Sequence, residues 1–186
     1  DQPDNVFVAG FIGSPAMNFI MARLEKQNGG HDVVFGSTRL HLTQEELERA
    51  KERGYDPEAF SGKDVILGIR PEDIEDSETD AAEAIGGSDG ANTMDVDPQV
   101  IESMGSEKYL YFEVPKEQAA HLDSLSEMTD DEVPEDGDGG APDESGDMMV
   151  ARVAAESTAK EGNKMRLVMD PSKVHLFDPE SEQAIF

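Results

Sequence analysis

Apolar residues in this 186-residue chain come in short runs separated by glycine, proline and Asn-Gly punctuation. That spacing predicts many short strands and few helices. Residues 17–26 and 32–35 flank Gln27-Asn-Gly-Gly30 and predict a hairpin, because Asn and Gly reach the positive φ that tight turns demand. Residues 40–42 make a short strand. Thr43-Gln-Glu-Glu46 then has the form of a capping box, which predicts a charged surface helix through Glu45, Leu47, Ala50 and Arg53 that ends at Gly54. Residues 63–70 place Val65, Ile66, Leu67 and Ile69 in one run, the clearest buried strand, and Pro71 ends its pairing because it lacks an amide hydrogen.

The later segments follow the same pattern. Residues 94–103 predict a strand broken by Pro98. Residues 108–114 alternate Leu110, Phe112 and Val114 against Tyr109, Tyr111 and Glu113, as a half-buried strand does. A short helix is expected at 117–125. Residues 148–154 and 165–169 predict two strands across a polar turn at 160–163. Residues 174–177 predict another, and 184–186 a last edge strand. Ahead of all these, residues 6–12 read as the end of a helix, stopped by Gly13, Ser14 and Pro15. Several short strands with few helices point to a mainly β protein, a small barrel or sandwich.

Charge narrows the functions. The chain carries 42 Asp and Glu against 15 Lys and Arg, a net charge of −27. Nucleic-acid binding depends on basic residues that release counterions from phosphates, so no nucleic-acid partner is expected. Anionic membrane surfaces are disfavoured for the same reason. The acidity concentrates at 72–91 and 127–147, where Gly, Ser, Pro and Ala replace large apolar residues, so both stretches are expected as loops outside the core. With no cysteine there is neither a disulfide nor a thiolate metal site.

Catalytic motifs are absent. ATP hydrolysis needs a Gly-x-x-x-x-Gly-Lys-Ser/Thr loop between a strand and a helix, and Gly86-Gly-Ser-Asp-Gly90 has no lysine and no strand before it. Asp95-x-Asp97 runs into Pro98, and Asp136-Gly-Asp138-Gly lacks the later ligands of a calcium loop. The four histidines (His31, His41, His121, His175) show no ligand spacing, and His175 reads as a packed strand residue. Neither an enzyme activity nor a metal site is expected. Arg70-Pro71-Glu72 stands out at the exit of the buried strand: the arginine either bridges to a neighbouring subunit or closes the strand end as an internal ion pair.

Four blocks carry a family resemblance. Phe7-Val-Ala-Gly-Phe-Ile-Gly-Ser-Pro-Ala-Met-Asn18 resembles the hinge between the ATPase and regulatory domains of sugar-importing ABC transporter ATPases of the maltose type. Val65-Ile-Leu-Gly-Ile-Arg-Pro-Glu-Asp73, Ser103-Met-Gly-Ser-Glu-Lys-Tyr-Leu-Tyr111 and Val174-His-Leu-Phe-Asp178 resemble three segments of that regulatory domain, in the family's order. The resemblance implies an OB-like small β-barrel of the transport-associated (TOBE/MOP-like) kind. It would have a short N-terminal helix, one surface helix and acidic insertions at about 74–92 and 116–148. Residues 1–15 would be the tail of an ATPase domain with its hinge, and 16–186 the regulatory domain. With Asp rather than Met at position 1, the chain reads as a piece of a longer protein.

Function and sites follow as implications of the resemblance. The domain would hold an ATPase dimer together and offer a surface to a cytoplasmic regulator, at the cytoplasmic face of a membrane transporter. Its partners would be a second copy, a regulator and, through the ATPase domain, membrane-spanning permease subunits. ATP and Mg²⁺ would belong to the ATPase domain, leaving no cofactor here. Phe11, Gly13, Ser14, Pro15, Met17 and Asn18 would form the hinge. Arg70, Pro71, Glu72, Gly105 and Glu107 would serve regulation or the subunit interface. The competing reading is a barrel that binds a small oxyanion or a sugar.

Overall fold

The turn at Asn28–Gly29 sets the first register. Gly29 takes a φ of +89°, which joins β1 (Asn18–Gln27) to β2 (Gly30–Phe35) with Gln27 opposite Gly30. A second tight turn leads to β3 (Thr38–Thr43). The fourth strand, β4 (Asp64–Ile69), returns to the other side of β1. This computed structural model describes residues 3–11, 15–85, 92–118, 120 and 148–186. The remaining described strands are β5 (Ile74–Asp76), β6 (Thr93–Val96), β7 (Val100–Ser103), β8 (Glu107–Glu113), β9 (Met148–Ala154), β10 (Met165–Met169) and β11 (His175–Phe177).

These strands form three antiparallel sheets, in the orders β11-β4-β1-β2-β3, β5-β10-β6 and β7-β8-β9. Their inner faces share one apolar core. Ile20 and Leu24 of β1, Leu40 and Leu42 of β3, Leu67 of β4, Leu110 and Phe112 of β8, and Leu167 of β10 are fully buried in it. The mainly β architecture expected from the short runs is therefore present, consistent with the OB-like barrel that the resemblance implies, and its interior is filled by aliphatic and aromatic side chains.

Why β4 reads as an unbroken apolar run is now visible. Val65, Leu67 and Ile69 face the main core, whereas Ile66 faces a second cluster on the outside of the same sheet. That cluster contains Val6 and Ala9 from helix α1 (Val6–Phe11), with Met17 and Phe177. Helix α1 thus covers the outer face of β1, β4 and β11, so β4 is buried on both sides. Gly68 is needed there, since a Cβ would come within 2.7 Å of Met17 Sδ and 2.9 Å of Phe177 Cε2. Backbone bonds hold the chain ends to the same face: Val6 N donates to Glu182 O (3.0 Å) and Ala184 N to Asp4 O (3.0 Å).

Helix α2 (Gln44–Glu52) starts as the capping box predicts. Thr43 Oγ1 accepts from Glu46 N (3.3 Å), and Thr43 N donates to Glu46 Oε2 (2.7 Å). Only Leu47 and Ala50 of this helix are buried, which fits a charged helix lying over the end of the sheet.

Three expectations need correction. The stretch at 72–91 was expected as a loop, but it holds β5 and helix α3 (Asp80–Ala84), with Ile74, Asp76, Thr79 and Ala82 buried. Its low apolar content misleads because β5 is only three residues long and is anchored by polar groups. Asp76 Oδ1 accepts from Glu78 N (3.0 Å), and Ser157 Oγ donates to Asp76 Oδ2. Residues 184–186 form an isolated bridge, Phe177 to Ala184, in place of an edge strand. The helix expected at 117–125 appears as a 3₁₀ turn at Lys116–Gln118; residues 119 and 121–125 lie outside the described residues. The acidic stretch at 127–147 lies outside them as well.

The third sheet joins the others without a backbone ladder. β9 pairs with β8 along one edge. Along its other edge, Val150 N donates to Asn18 Oδ1 (2.7 Å) and Val150 O accepts from Asn18 Nδ2 (2.9 Å). The same Nδ2 also donates to Ile69 O (3.1 Å). Further along that edge Ala154 N donates to both carboxylate oxygens of Glu75 (3.0 and 3.1 Å). Two side chains, from β1 and β5, thus take the place of a neighbouring strand. Asn18→Leu would leave the Val150 amide and carbonyl unpaired at a buried seam, and it is expected to lower unfolding stability by about 2–3 kcal/mol. A shift in the urea midpoint measures it, and an unchanged midpoint would show that the seam does not depend on this amide.

Candidate functional site

Two similar turns build the most distinctive polar site among the described residues. β4 leaves through Arg70 into a 3₁₀ turn at Pro71–Asp73, and β10 leaves through Asp170 into a 3₁₀ turn at Pro171–Lys173. Proline at the first position of each presets φ and needs no amide partner. Asp73 N donates to Arg70 O (3.0 Å) and Lys173 N to Asp170 O (3.1 Å), while Asp170 N donates to Asp73 O (3.0 Å) and ties the turns together. Asp170 caps the second turn, its Oδ1 accepting from Ser172 N (2.9 Å) and from Ser172 Oγ (2.7 Å). With Arg53, the C-terminal cap of α2, these turns enclose an open cleft lined by Arg70, Glu72, Asp73, Lys173 and His175.

Burial and neighbouring charge perturb two groups in this cleft. Burial raises the Asp73 carboxyl to about 6, helped by the charges of Glu72 and Asp170 and opposed by Lys173 and Arg70. Burial lowers the His175 imidazole to about 4, and the Arg70 guanidinium adds to that shift. Arg70 is half-buried, and its charge is felt by both groups. Arg53 and Lys173 are exposed and have no carboxylate within ion-pair distance among the described residues.

Gly105 and Glu107 lie elsewhere, at the β7–β8 hairpin. Gly105 takes a φ of +90°, and Met104 N donates to Glu107 O (2.9 Å) to close the turn. The Glu107 carboxylate accepts from the Tyr109 hydroxyl (2.9 Å) and faces Arg152 at 3.5 Å. Beside it the Tyr111 hydroxyl donates to Glu102 (2.9 Å), and burial together with that bond pushes Tyr111 up to about 12. Val100 and Met104 are exposed on this sheet (37% and 64%).

The residues singled out in the sequence are therefore not gathered in one place. Arg70, Pro71 and Glu72 sit at the cleft, and Gly105 and Glu107 on the outer sheet. Met17 and Asn18 are buried, Met17 under α1 and Asn18 at the β9 seam. Pro15 is half-exposed, Phe11 ends α1, and Gly13 and Ser14 lie outside the described residues. Sequence reasoning missed Arg53, Asp73 and Lys173. One signal was available: Ile69-Arg-Pro-Glu-Asp-Ile74 and Met169-Asp-Pro-Ser-Lys-Val174 share a pattern of strand end, charged residue, proline and turn. Among the described residues no group of three or more His, Asp or Glu is placed to hold a metal ion. Nor is any described helix long and apolar enough to cross a membrane.

Comparison with known proteins adds to this geometry. Residues 13–74 match the family model of the MalK OB fold domain. Over 97% of its length the chain is 36% identical to the trehalose import ATP-binding protein SugC of Mycobacterium tuberculosis, covering 41% of that protein. It is 32% identical, over its full length, to the trehalose/maltose import ATP-binding protein MalK of Thermococcus litoralis, covering 39% of it. It is also 30% identical to the oligosaccharides import ATP-binding protein MsmX of Bacillus subtilis, covering 38%. The chain thus spans about two fifths of the length of these relatives. Together the similarities support an OB-fold domain of the kind carried by ABC-transporter ATP-binding proteins.

The Asp73 carboxyl gives the cleft a pH signature. Its folded value lies above the ordinary 3.8, so its contribution to stability is complete below that value and is lost as pH rises through about 6. His175 acts oppositely: its folded value lies below 6.5, so its contribution is lost as pH falls from 6.5 towards 4. Asp73→Asn should therefore gain stability relative to the parent between pH 4 and pH 7, by roughly 1–2 kcal/mol after solvent screening. Thermal unfolding across that range, with His175→Gln as the opposite-sign control, measures it; a pH-independent difference would refute the shift.

Proposed function

We propose that this chain is the regulatory and dimerisation domain of the ATP-binding subunit of an ABC-type carbohydrate importer. The observation that carries the reading is the near full-length alignment with three sugar-import ATP-binding proteins of which the chain spans only about two fifths. ATP hydrolysis, with its Mg²⁺, and contact with membrane-spanning permease subunits are assigned to the other part of such a subunit. That assignment makes the setting cytoplasmic and peripheral to a membrane complex. This part is a barrel closed around an apolar core.

A rigid, self-pairing domain helps a motor that must open and close. Two ATPase halves that separate after hydrolysis stay at high effective concentration when a second contact tethers them. A cytoplasmic regulator seated on the domain would then shift the open–closed equilibrium by its differential affinity for the two states. The segment from Phe11 to Asn18 suits the hinge role because Met17 and Asn18 are locked into the barrel, which gives motion of the preceding chain a fixed base. Arg70, Pro71 and Glu72 at the cleft, and Gly105 and Glu107 at the hairpin, are the contact points assigned to a regulator or a second copy.

The expected outcome in solution is a symmetric dimer. Sedimentation velocity across a concentration series should show a species of twice the single-chain mass by tens of micromolar, roughly the range of weak self-association. A monomer throughout that range would count against the dimerisation role.

A further inference from the structure

One buried histidine plays no part in the cleft. His31 of β2 is 1% exposed, and neither of its ring nitrogens has a hydrogen-bond partner among the described residues. It shares the inner face of its strand with Val33 and Phe35, which belong to the main core. Lys26 of β1 and Leu42 of β3 stand opposite it. Helix α2 packs against β2 and β3, and the 3₁₀ turn at Pro57–Phe60 packs against α2. This cover is clasped by the Lys51–Glu58 ion pair (3.4 Å), which joins helix to turn. At its other end Gln44 N donates to Gly29 O (3.0 Å) in the hairpin turn.

A neutral imidazole buried here gives up its hydrogen bonds to water, and an imidazolium would give up the hydration of a full charge as well. The charges that reach the ring offer no rescue in place. Lys26 from β1 and Lys51 from α2 oppose a cation there. Glu58, from the 3₁₀ turn, favours one but is already paired with Lys51. Asp32 also favours one, yet it lies on the other face of β2, against Arg39 (3.4 Å) and His41 (2.8 Å). From β3 the residue opposite is the uncharged Leu42. Burial is the largest influence, and it holds the ring below its ordinary 6.5.

We propose that α2 and the Pro57–Phe60 turn form an acid-released lid over His31: the closed lid tolerates only the neutral ring, and protonation frees it. The lid is lightly held. Its nine-residue helix buries only Leu47 and Ala50 and is too short to persist alone, so opening it costs less than unfolding the barrel. In the open form the ring meets water and takes up its proton at the ordinary value. The stability of the closed lid is therefore complete above 6.5 and is lost as pH falls towards the lower value of the covered ring. Release is felt elsewhere, because Arg53 caps α2 and lines the cleft beside Arg70 and Asp73. The inference stands on His31 and its cover and does not depend on the assignment to an importer.

The test is amide exchange by NMR on the whole 186-residue chain, from about pH 7.5 to about pH 5, with the His31 ring signal followed in parallel. The ring should titrate with a midpoint below 6.5. Because the open form binds one proton more, protection of the amides of residues 48–52 should fall about tenfold per pH unit below that value. The amides of Ile66 and Leu67 in β4 should stay more strongly protected at every pH. His31→Leu and His31→Gln, which take up no proton there, should abolish the fall. His41→Gln, His175→Gln and Asp73→Asn, which remove other ionisable groups, should keep it. A ring midpoint at or above 6.5, flat protection of 48–52, or loss of α2 and β4 protection together to one level would each overturn the proposal. So would His31 variants that retain the fall. The first three readouts come from the parent chain, so they decide the matter even where a variant fails to fold.

Discussion

Closure of the barrel depends on a side-chain amide imitating a peptide group. Asn18 gives Val150 an acceptor for its N–H and a donor for its C=O, and its second amide hydrogen reaches Ile69 O. A backbone ladder at this place would need β1 and β9 to run side by side, but β1 already pairs with β2 and β4. An amide side chain can extend beyond the plane of its own sheet, so it bridges where a strand cannot. The Glu75 carboxylate takes the amide of Ala154 on the same edge. Buried backbone groups must find partners, and here two side chains supply them across a sheet boundary.

The same seam fixes what surrounds it. With Asn18 held between β4 and β9, the preceding Met17 turns outward beneath α1, where it meets Val6, Ala9, Ile66 and Phe177. That second apolar layer explains why β4 and β11 are buried on both faces, unlike the half-exposed β8 and β9. Helix α1 has only six residues, too few to be stable alone. Its helical form rests on the sheet it covers and on the Asn5 side chain, whose Oδ1 accepts from Val8 N (2.9 Å).

Electrostatics then divide the surface. In a chain with 42 Asp and Glu against 15 Lys and Arg, the two proline turns bring Arg70 and Lys173 to one cleft with Arg53, alongside Glu72 and Asp73. The turns are bound to each other by the Asp170 N to Asp73 O bond, which fixes the backbone positions from which their charged side chains extend. Burial of Asp73 and His175 in the same place shifts each towards its neutral form. The Asp73 carboxyl in this cleft therefore changes charge near pH 6, where an ordinary solvated carboxylate does not.

Local chemistry made much of the fold legible in advance. The Asn-Gly hairpin, the Thr43–Glu46 capping box, the Pro71 stop and the alternation through Leu110 and Phe112 are short-range devices whose partners lie within a few residues. The strand inside the acidic stretch escaped notice because β5 draws its stability from β10 and Ser157, far away in sequence. The cleft was half visible: Arg70 to Glu72 stood out and Lys173 lies in a second stretch of the same strand-exit pattern, while Arg53 carries no local signal and joins them only when α2 and two strand exits meet. Sequence alone thus determined which segments would be strands, where they would turn, and that the surface would be acidic. Tertiary structure decided which strands became neighbours, that Asn18 would close the barrel, and that Arg53, Arg70 and Lys173 would line one cleft. The physical reason is range: turns and caps are settled by adjacent residues, whereas pairing, closure and clustered charge depend on residues brought together only by the folded core.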